Sequence, residues 1–279
     1  MGRLVLAVSL LLCVPLAAQE VPPTEENEAA RRLLVYRFQV EPAKFQQFEE
    51  AMRDWVEAAE EAGLGEEFAW EVSQSDPFTY WMFQPLTDFR RLDATSNYAQ
   101  ELHQRVNAAL DAERMRDLQA RLWPAIRKAD GWVVESVANF DYEPAEYAGG
   151  EPQFAHIDVE QVRPERVADY ERLLERLGEI LRQAGYPHPM RVYRNVTGPQ
   201  NTYYIVFAAA DREELFEHYR YAEEVIPQTV GAEAWRELIG QWAATLVEFE
   251  HYDEIMRPDL SFQPSFAEAS EGKPAPEEE

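Results

Sequence analysis

One ten-residue pattern occurs twice in this chain. Thr79-Tyr80-Trp81-Met82-Phe83-Gln84-Pro85-Leu86-Thr87-Asp88 returns as Thr202-Tyr203-Tyr204-Ile205-Val206-Phe207-Ala208-Ala209-Ala210-Asp211. Each copy opens on Thr-Tyr, runs through aromatic and β-branched residues, and closes on an Asp where a helical pattern begins. That is a strand feeding a helix N-cap. The repeat constrains the fold more than composition does, because whatever unit holds one copy must be built twice.

The surroundings repeat as well. Pro42 and Gly63 are 21 residues apart, and so are Pro164 and Gly185. A proline suits the first turn of a helix and a glycine its left-handed end. Between them, Phe45, Phe48, Met52 and Trp55 in the first copy, and Tyr170, Leu173, Leu177 and Leu181 in the second, recur at helical spacing. Further on, Ala112-Glu113-Arg114-Met115-Arg116-Asp117-Leu118 matches Ala232-Glu233-Ala234-Trp235-Arg236-Glu237-Leu238.

Strands are predicted over 33–40, 68–74, 79–84 and 132–140, then over 154–161, 190–196, 202–207 and 246–252. Asp88 is predicted to cap one helix carrying Leu92, Tyr98 and Leu102, and Asp130-Gly131 to stop a helix over 112–128. Asp211 caps the matching helix of the second copy, with Glu214 placed for a capping box.

Each copy thus reads as a βαββαβ ferredoxin-like unit with one extra helix. The fold class is α+β: two tandem ferredoxin-like repeats, 32–144 and 154–254, packed sheet to sheet as an intramolecular dimeric α/β barrel. Around them the sequence places a signal peptide at 1–18, a disordered leader at 19–31, a linker at 145–153 and a disordered acidic tail at 255–279. In this order of elements the chain resembles the dimeric α/β-barrel superfamily, in NIPSNAP-like or antibiotic-biosynthesis-monooxygenase-like form. That superfamily includes cofactor-free monooxygenases, haem-binding and haem-degrading enzymes, and chlorite dismutase-like tandem proteins, so the resemblance implies a fold more than one activity.

The address follows from the N-terminus. Arg3 supplies a charged start, residues 4–14 a short apolar segment, and Leu16-Ala17-Ala18 a small-residue cleavage site before Gln19. The expectation is an exported protein, periplasmic or secreted. Cys13, the single cysteine, lies inside that segment, so the mature chain has no disulfide. A net charge of -26 repels phosphate, which argues against nucleic acid and anionic lipid as partners. No segment is apolar enough for membrane insertion. A monomer suits a barrel whose pairing is intramolecular.

Chemistry-bearing residues are few. If Ala155, Ile157 and Val159 face the helices, then Phe154, His156, Asp158 and Glu160 point into the barrel; the equivalent face of the first copy, Leu33, Val35, Arg37 and Gln39, is less polar. This assignment requires one extra residue before Pro164 relative to Pro42. A His-x-Asp-x-Glu row suits metal binding or proton transfer, and equally a solvated or salt-bridged strand face. Arg191, Tyr193, Glu248 and His251 could join the same volume. The candidate interior set is Arg37, His156, Asp158, Glu160, Arg191, Tyr193 and Glu248.

His103 and His218 are helical, as an axial ligand of a haem-binding barrel is, but polar neighbours favour a surface role. His188, between two prolines, reads as loop. Tyr80 and Tyr203 read as core or wall residues whose hydroxyls need partners. There is no Gly-rich phosphate loop, no Cys-based metal spacing, no Gly-x-Ser-x-Gly and no His-Glu-x-x-His. Asn195-Val196-Thr197 matches a glycosylation acceptor.

No cofactor is assigned and no metal set. The sequence points to a soluble barrel binding a small, partly apolar ligand between its two sheets. The alternative is a small-molecule oxidoreductase, cofactor-independent or haem-related and monooxygenase-like. A protein-binding module is a third reading.

Overall fold

The computed structural model describes residues 31–144, 147 and 151–264. The expected signal peptide and all of the leader except Arg31 lie outside the described residues. So do most of the linker and residues 265–279.

The first half runs β1 (Arg32–Val40), α1 (Phe45–Glu61), β2 (Glu71–Asp76), β3 (Thr79–Pro85), α2 (Asn97–Ala109), α3 (Ala112–Leu122) and β4 (Ile126–Ser136). The second runs β5 (Phe154–Val162), α4 (Val167–Ala184), β6 (Met190–Asn195), β7 (Thr202–Ala209), α5 (Arg212–Arg220), α6 (Ile226–Val230), α7 (Ala232–Thr245) and β8 (Leu246–Met256). All eight strands form one closed antiparallel barrel in the order β1-β3-β2-β8-β5-β7-β6-β4.

The two four-stranded halves close into this barrel, as the order of elements predicts, by meeting edge to edge at two seams. One seam pairs Ser73 with Met256 and Gln74 with Ile255; the other pairs Val134, Glu135 and Ser136 with Asn195, Arg194 and Tyr193. Closure removes every free strand edge, which stacked open sheets would leave exposed.

Strand side chains alternate between two buried surfaces. Leu34, Tyr36, Phe38, Met82 and Val133 face α1 and α2, and Met190, Val192, Ile205 and Phe207 face the second half's helices. The opposite faces meet in the middle of the barrel, where Val35, Trp81 and Val134 pack with Leu33, Phe83, Trp132, Tyr193, Tyr204 and Tyr252. Tyr80 and Tyr203 hold equivalent places on the helix side. Their hydroxyls donate to Glu49 at 2.8 Å and to Glu171 at 2.9 Å, one carboxylate from α1 and one from α4.

Local chemistry explains the element ends. Gly185 closes α4 with φ 62°, the left-handed cap that its sequence position predicts. Asp211 accepts from the amides of Glu213 and Glu214, while Glu214 reaches back to the amide of Ala210 at 2.7 Å. Asp88 behaves differently: it caps only a short 3-10 turn, Phe89–Leu92, and α2 starts afresh with Ser96 as its own N-cap.

Asp130-Gly131 does not stop α3 either. Pro124, in the turn Trp123–Ala125, ends that helix, and Gly131 lies within β4, where an added Cβ would stand 3.0 Å from the Tyr36 ring.

The segment assigned to a tail from residue 255 is part of the fold as far as 264. β8 continues to Met256, and the chain then crosses to the first half. The Arg257 amide donates to the Val72 carbonyl, Trp70 and Phe262 exchange backbone hydrogen bonds, and Leu260 and Phe262 enter the first half's core. Two apolar side chains amid acidic residues carry no periodic signal, so composition alone misses this strap.

Candidate functional site

The row His156, Asp158, Glu160 faces the helix layer of the second half, the reverse of the face inferred from its sequence. Cross-strand partners share a face. His156 pairs with Phe207 and Asp253, and Glu160 with Tyr203 and Phe249, whereas Ile157 pairs with Val206 and Tyr252 on the interior side. The sequence signal lay in the spacing. Pro42 and Pro164 are 122 residues apart, and the same interval from Leu34, Tyr36 and Phe38 lands on His156, Asp158 and Glu160 with no inserted residue.

His156 lies on the floor of this layer and is 6% exposed. Its Nδ1 is 2.8 Å from Asp253 Oδ1 on β8, and its Nε2 is 3.3 Å from Asp158 Oδ1. From α5, the Tyr219 hydroxyl donates to Asp253 Oδ1 at 2.6 Å and lies 3.1 Å from His156 Nδ1. His218, one residue earlier, places its ring 4.9 Å from that of His156 and accepts the Tyr186 hydroxyl at Nδ1 at 2.8 Å. His251 on β8 and Phe249 beyond it continue the line of rings toward solvent.

Helix α5 is held over the strands by Leu215 and its Asp211 cap, and it continues through a π-helical stretch, Tyr221–Val225, into α6. Pro227 lacks the amide that an α-helix would direct at the Glu223 carbonyl, and the widening falls in the residues just before it.

The charges sort by environment. Burial opposes the charge on His156, but its hydrogen bonds to Asp158 and Asp253 outweigh burial and raise its pKa above the ordinary value. For Asp253, burial is outweighed by the bonds from Tyr219 and His156, which lower its pKa. His218 has no carboxylate on its ring; burial and the neighbouring His156 and His188 push it down to about 3, so it is neutral. Glu160, deep beside Trp242 and Tyr170, is pushed up to about 7 by burial. The set holds one imidazole between two carboxylates that favour its protonation, a neutral imidazole beside it, and a solvent edge at Asp253, whose side chain is 50% exposed.

The other predicted residues do not join it. Arg37 lies on the interior face of β1, where it pairs with Asp130 at 3.3 Å and stacks over Trp81. Tyr193 packs among the interior rings. Arg191 is bound to Glu143 beyond the strand, and Glu248 is exposed on β8. The interior, which the sequence reading gives to a ligand, is occupied at its middle by these packed side chains. Asp253, Tyr219, Tyr186 and Trp242 are the members that sequence reading missed. Three of the four lie on elements brought over β5 only by the barrel and its helices.

His218 is inside the cluster, not on the surface. His188 is in a loop as expected, yet it is buried, with a ring edge to Tyr186 and Nε2 3.4 Å from Glu217. His103 lies on α2. Among the described residues, no three His, Asp or Glu side chains converge in a way that could hold a metal ion. A haem on His218 would need open space beside its ring, but Phe207, His156, Tyr219 and Tyr186 surround it at 4.3 to 6.0 Å. The arrangement does not accommodate one. Among the described residues, no helix is long and apolar enough to cross a membrane.

No protein-family model and no curated protein matches the chain. Among solved structures it is similar to a "putative monooxygenase" of Fusobacterium nucleatum, at 13% identity and TM-score 0.52 over 82% of this chain and 94% of that one. It is also similar to an anthrone oxidase-like protein, at 15% identity and TM-score 0.51 over 82% and 92%. A mutant chlorite dismutase of Candidatus Nitrospira defluvii follows at 12% identity and TM-score 0.49, over 84% and 94%. The likeness is one of fold: an α+β chain closed into an eight-stranded antiparallel barrel.

Proposed function

We propose that the chain is a small-molecule oxidoreductase of the cofactor-independent monooxygenase kind, with its acid–base site at His156. One observation carries this reading. The same sheet face bears Leu34, Tyr36 and Phe38 in the first half and His156, Asp158 and Glu160 in the second. The first half demonstrates that an apolar row suffices for this layer. Burying charged groups costs several kcal/mol each before pairing, so a half that carries them at those positions carries them for chemistry. The likeness to proteins named as a monooxygenase and an anthrone oxidase-like protein supports the same class.

The chemistry follows from the charges. Without a cofactor, dioxygen must take its electrons from the substrate, and a carbanion or enolate is the form that gives them up. His156 takes the proton from an acidic C–H beside a carbonyl, and Asp158 and Asp253 hold the resulting imidazolium next to the substrate anion. The exposed Phe249 and the ring of His251 put apolar surface at the solvent edge of this layer. A small, partly apolar ketone or phenol is the substrate class that this chemistry calls for. For anthrone the balance is one dioxygen consumed, with anthraquinone and water formed.

The same reading takes the two halves as copies of one ferredoxin-like unit, fused so that one chain makes a barrel and no second copy is needed. The repeated interval of 122 residues, down to Glu49 and Glu171, supports it. It also takes the chain as exported, on the strength of residues 1–18.

The test is turnover of a panel of tricyclic ketones and phenols, anthrone first, in air-saturated buffer. The expected result is oxygen uptake equal to quinone formed, falling about 100-fold in H156A. No acceleration over buffer and no binding across the panel would contradict the reading.

A further inference from the structure

Among the described residues seven large apolar side chains are exposed, and five of them, Phe216, Ile239, Val247, Phe249 and Ile255, lie on β8 and on the helices α5 and α7. On the outer face of β8 the row Phe249, His251, Asp253, Ile255 is exposed at every position. Phe216 stands on α5 between Arg212, which lies over the ring of Phe154 opposite Ile255, and Tyr219, which bonds Asp253. Ile239 stands one turn before Trp242, whose indole bonds Glu160, the cross-strand partner of Phe249. These contacts join the five into one band along β8, about 20 Å from Ile255 to Phe249.

The fold does not call for this band. β4 is the first half's counterpart of β8, and there the same outer positions are Ala129, Gly131, Val133 and Glu135. Val133 is buried, and Glu135 pairs with Arg32 and Arg194. Val247 and Ile239 correspond to Arg127 and Gln119. An apolar band with polar neighbours, absent from the sister half, marks a contact surface.

Area and charge select its occupant. A free side chain of this size presents about 150–200 Å², so five at roughly half exposure offer about 450 Å². That is the apolar part of a face of about 800 Å², one partner's share of a stable dimer. The row itself, apolar-His-Asp-apolar, is its own complement when reversed, as a two-fold contact requires. We infer that the band is the two-fold interface of a homodimer, with its axis between His251 and Asp253. Phe249 then meets Ile255 of the partner subunit, and His251 meets the partner subunit's Asp253. A parallel arrangement would set each Asp253 against its own copy, which like charge opposes. Closure of the barrel needs no second copy, but cover for this band does. The second copy also brings an imidazole to Asp253, the exposed carboxylate of the candidate site.

The experiment is sedimentation velocity of the full chain at about 1 to 100 µM protein. Salt at about 0.15 M gives a screening length of about 8 Å, which mutes the repulsion between two chains of charge -26. Wild type is expected to sediment as a dimer in the upper part of that range. F249E and I239E, each placing a carboxylate at an exposed position of the band, are expected to remain folded by circular dichroism and to weaken association at least about tenfold. F89E, at an exposed phenylalanine outside the band, is expected to dimerise as wild type does. The register is read by oxidative cross-linking in a C13S background, where F249C/I255C is expected to form a covalent dimer and neither single variant to do so. A monomer across the range would overturn the inference and leave the band to a different protein. A dimer left intact by F249E and I239E would overturn it by placing the contact elsewhere, and cross-linking of F249C alone would overturn the two-fold register.

Discussion

His156 Nδ1 lies 2.8 Å from Asp253 Oδ1, across the β5–β8 pairing and 97 residues away in the chain. Tyr219 donates to the same oxygen from above. This contact fixes where the charge of the layer sits, and it makes the stability of the second half depend on pH in a definite direction.

His156 has a raised pKa, so the stability it contributes is complete below the ordinary histidine value of about 6.5 and is lost as pH rises through its folded value. Asp253 has a lowered pKa, so its share is present above the ordinary aspartate value of about 4 and is lost as pH falls through its folded value. The pair is fully formed between those limits. D253N is expected to cost about 1–2 kcal/mol at pH 5.5, a figure reduced because the Asp253 side chain is half exposed, and little at pH 9. Urea denaturation at the two pH values measures it.

Glu254 faces the barrel interior at the β2–β8 seam, buried, with one oxygen bonded by Ser73 and the other unpartnered. Burial raises its pKa to about 7. Its folded value lies above its unfolded one, so stability is complete below about pH 4.5 and is lost as pH climbs toward 7, by up to about 3 kcal/mol. E254Q is therefore expected to stabilise the protein at pH 8 and to be nearly neutral at pH 5. Equal effects at both pH values in chemical denaturation would count against an ionising Glu254.

Replacing the second half's row by the residues of the first, as in H156L/D158Y/E160F, exchanges buried ionisable groups for apolar ones at positions where the fold already accepts them. Stability at pH 7 is expected to hold or rise by about 1–4 kcal/mol while turnover disappears. Differential scanning calorimetry alongside the activity panel separates the two effects. A large loss of stability would mean that the row is structural.

The strap after β8 divides the C-terminal region. L260A is expected to destabilise by about 2–5 kcal/mol, since its side chain is fully buried in the first half's core. Thermal melts of L260A against wild type measure it.

Much of the fold was legible because local chemistry repeats. Thr-Tyr strands, the Asp211 cap with Glu214, and the Pro-to-Gly helix lengths all form as read. The barrel itself was expected from the order of elements, but the register of its seams was not legible, since the seam residues Ser73, Gln74, Ile255 and Met256 carry no pairing signal. The facing of β5 runs against the sequence expectation for a physical reason. Both faces of this strand are buried, so Ala155, Ile157 and Val159 look as fit for the helix layer as for the interior, and alternation cannot choose between them. The interval from Pro42 to Pro164 does choose. Asp253 and Tyr219, 97 and 63 residues from His156, were beyond reach of any local pattern.

The central claim is that the chemistry lies in the helix–sheet layer of the second half and not inside the barrel. Turnover of anthrone by H156A and by R37Q, measured side by side with wild type, tests it most directly. The account predicts a loss of about 100-fold in H156A and a near wild-type rate in R37Q. A wild-type rate in H156A together with loss in R37Q would place the site in the barrel and contradict it.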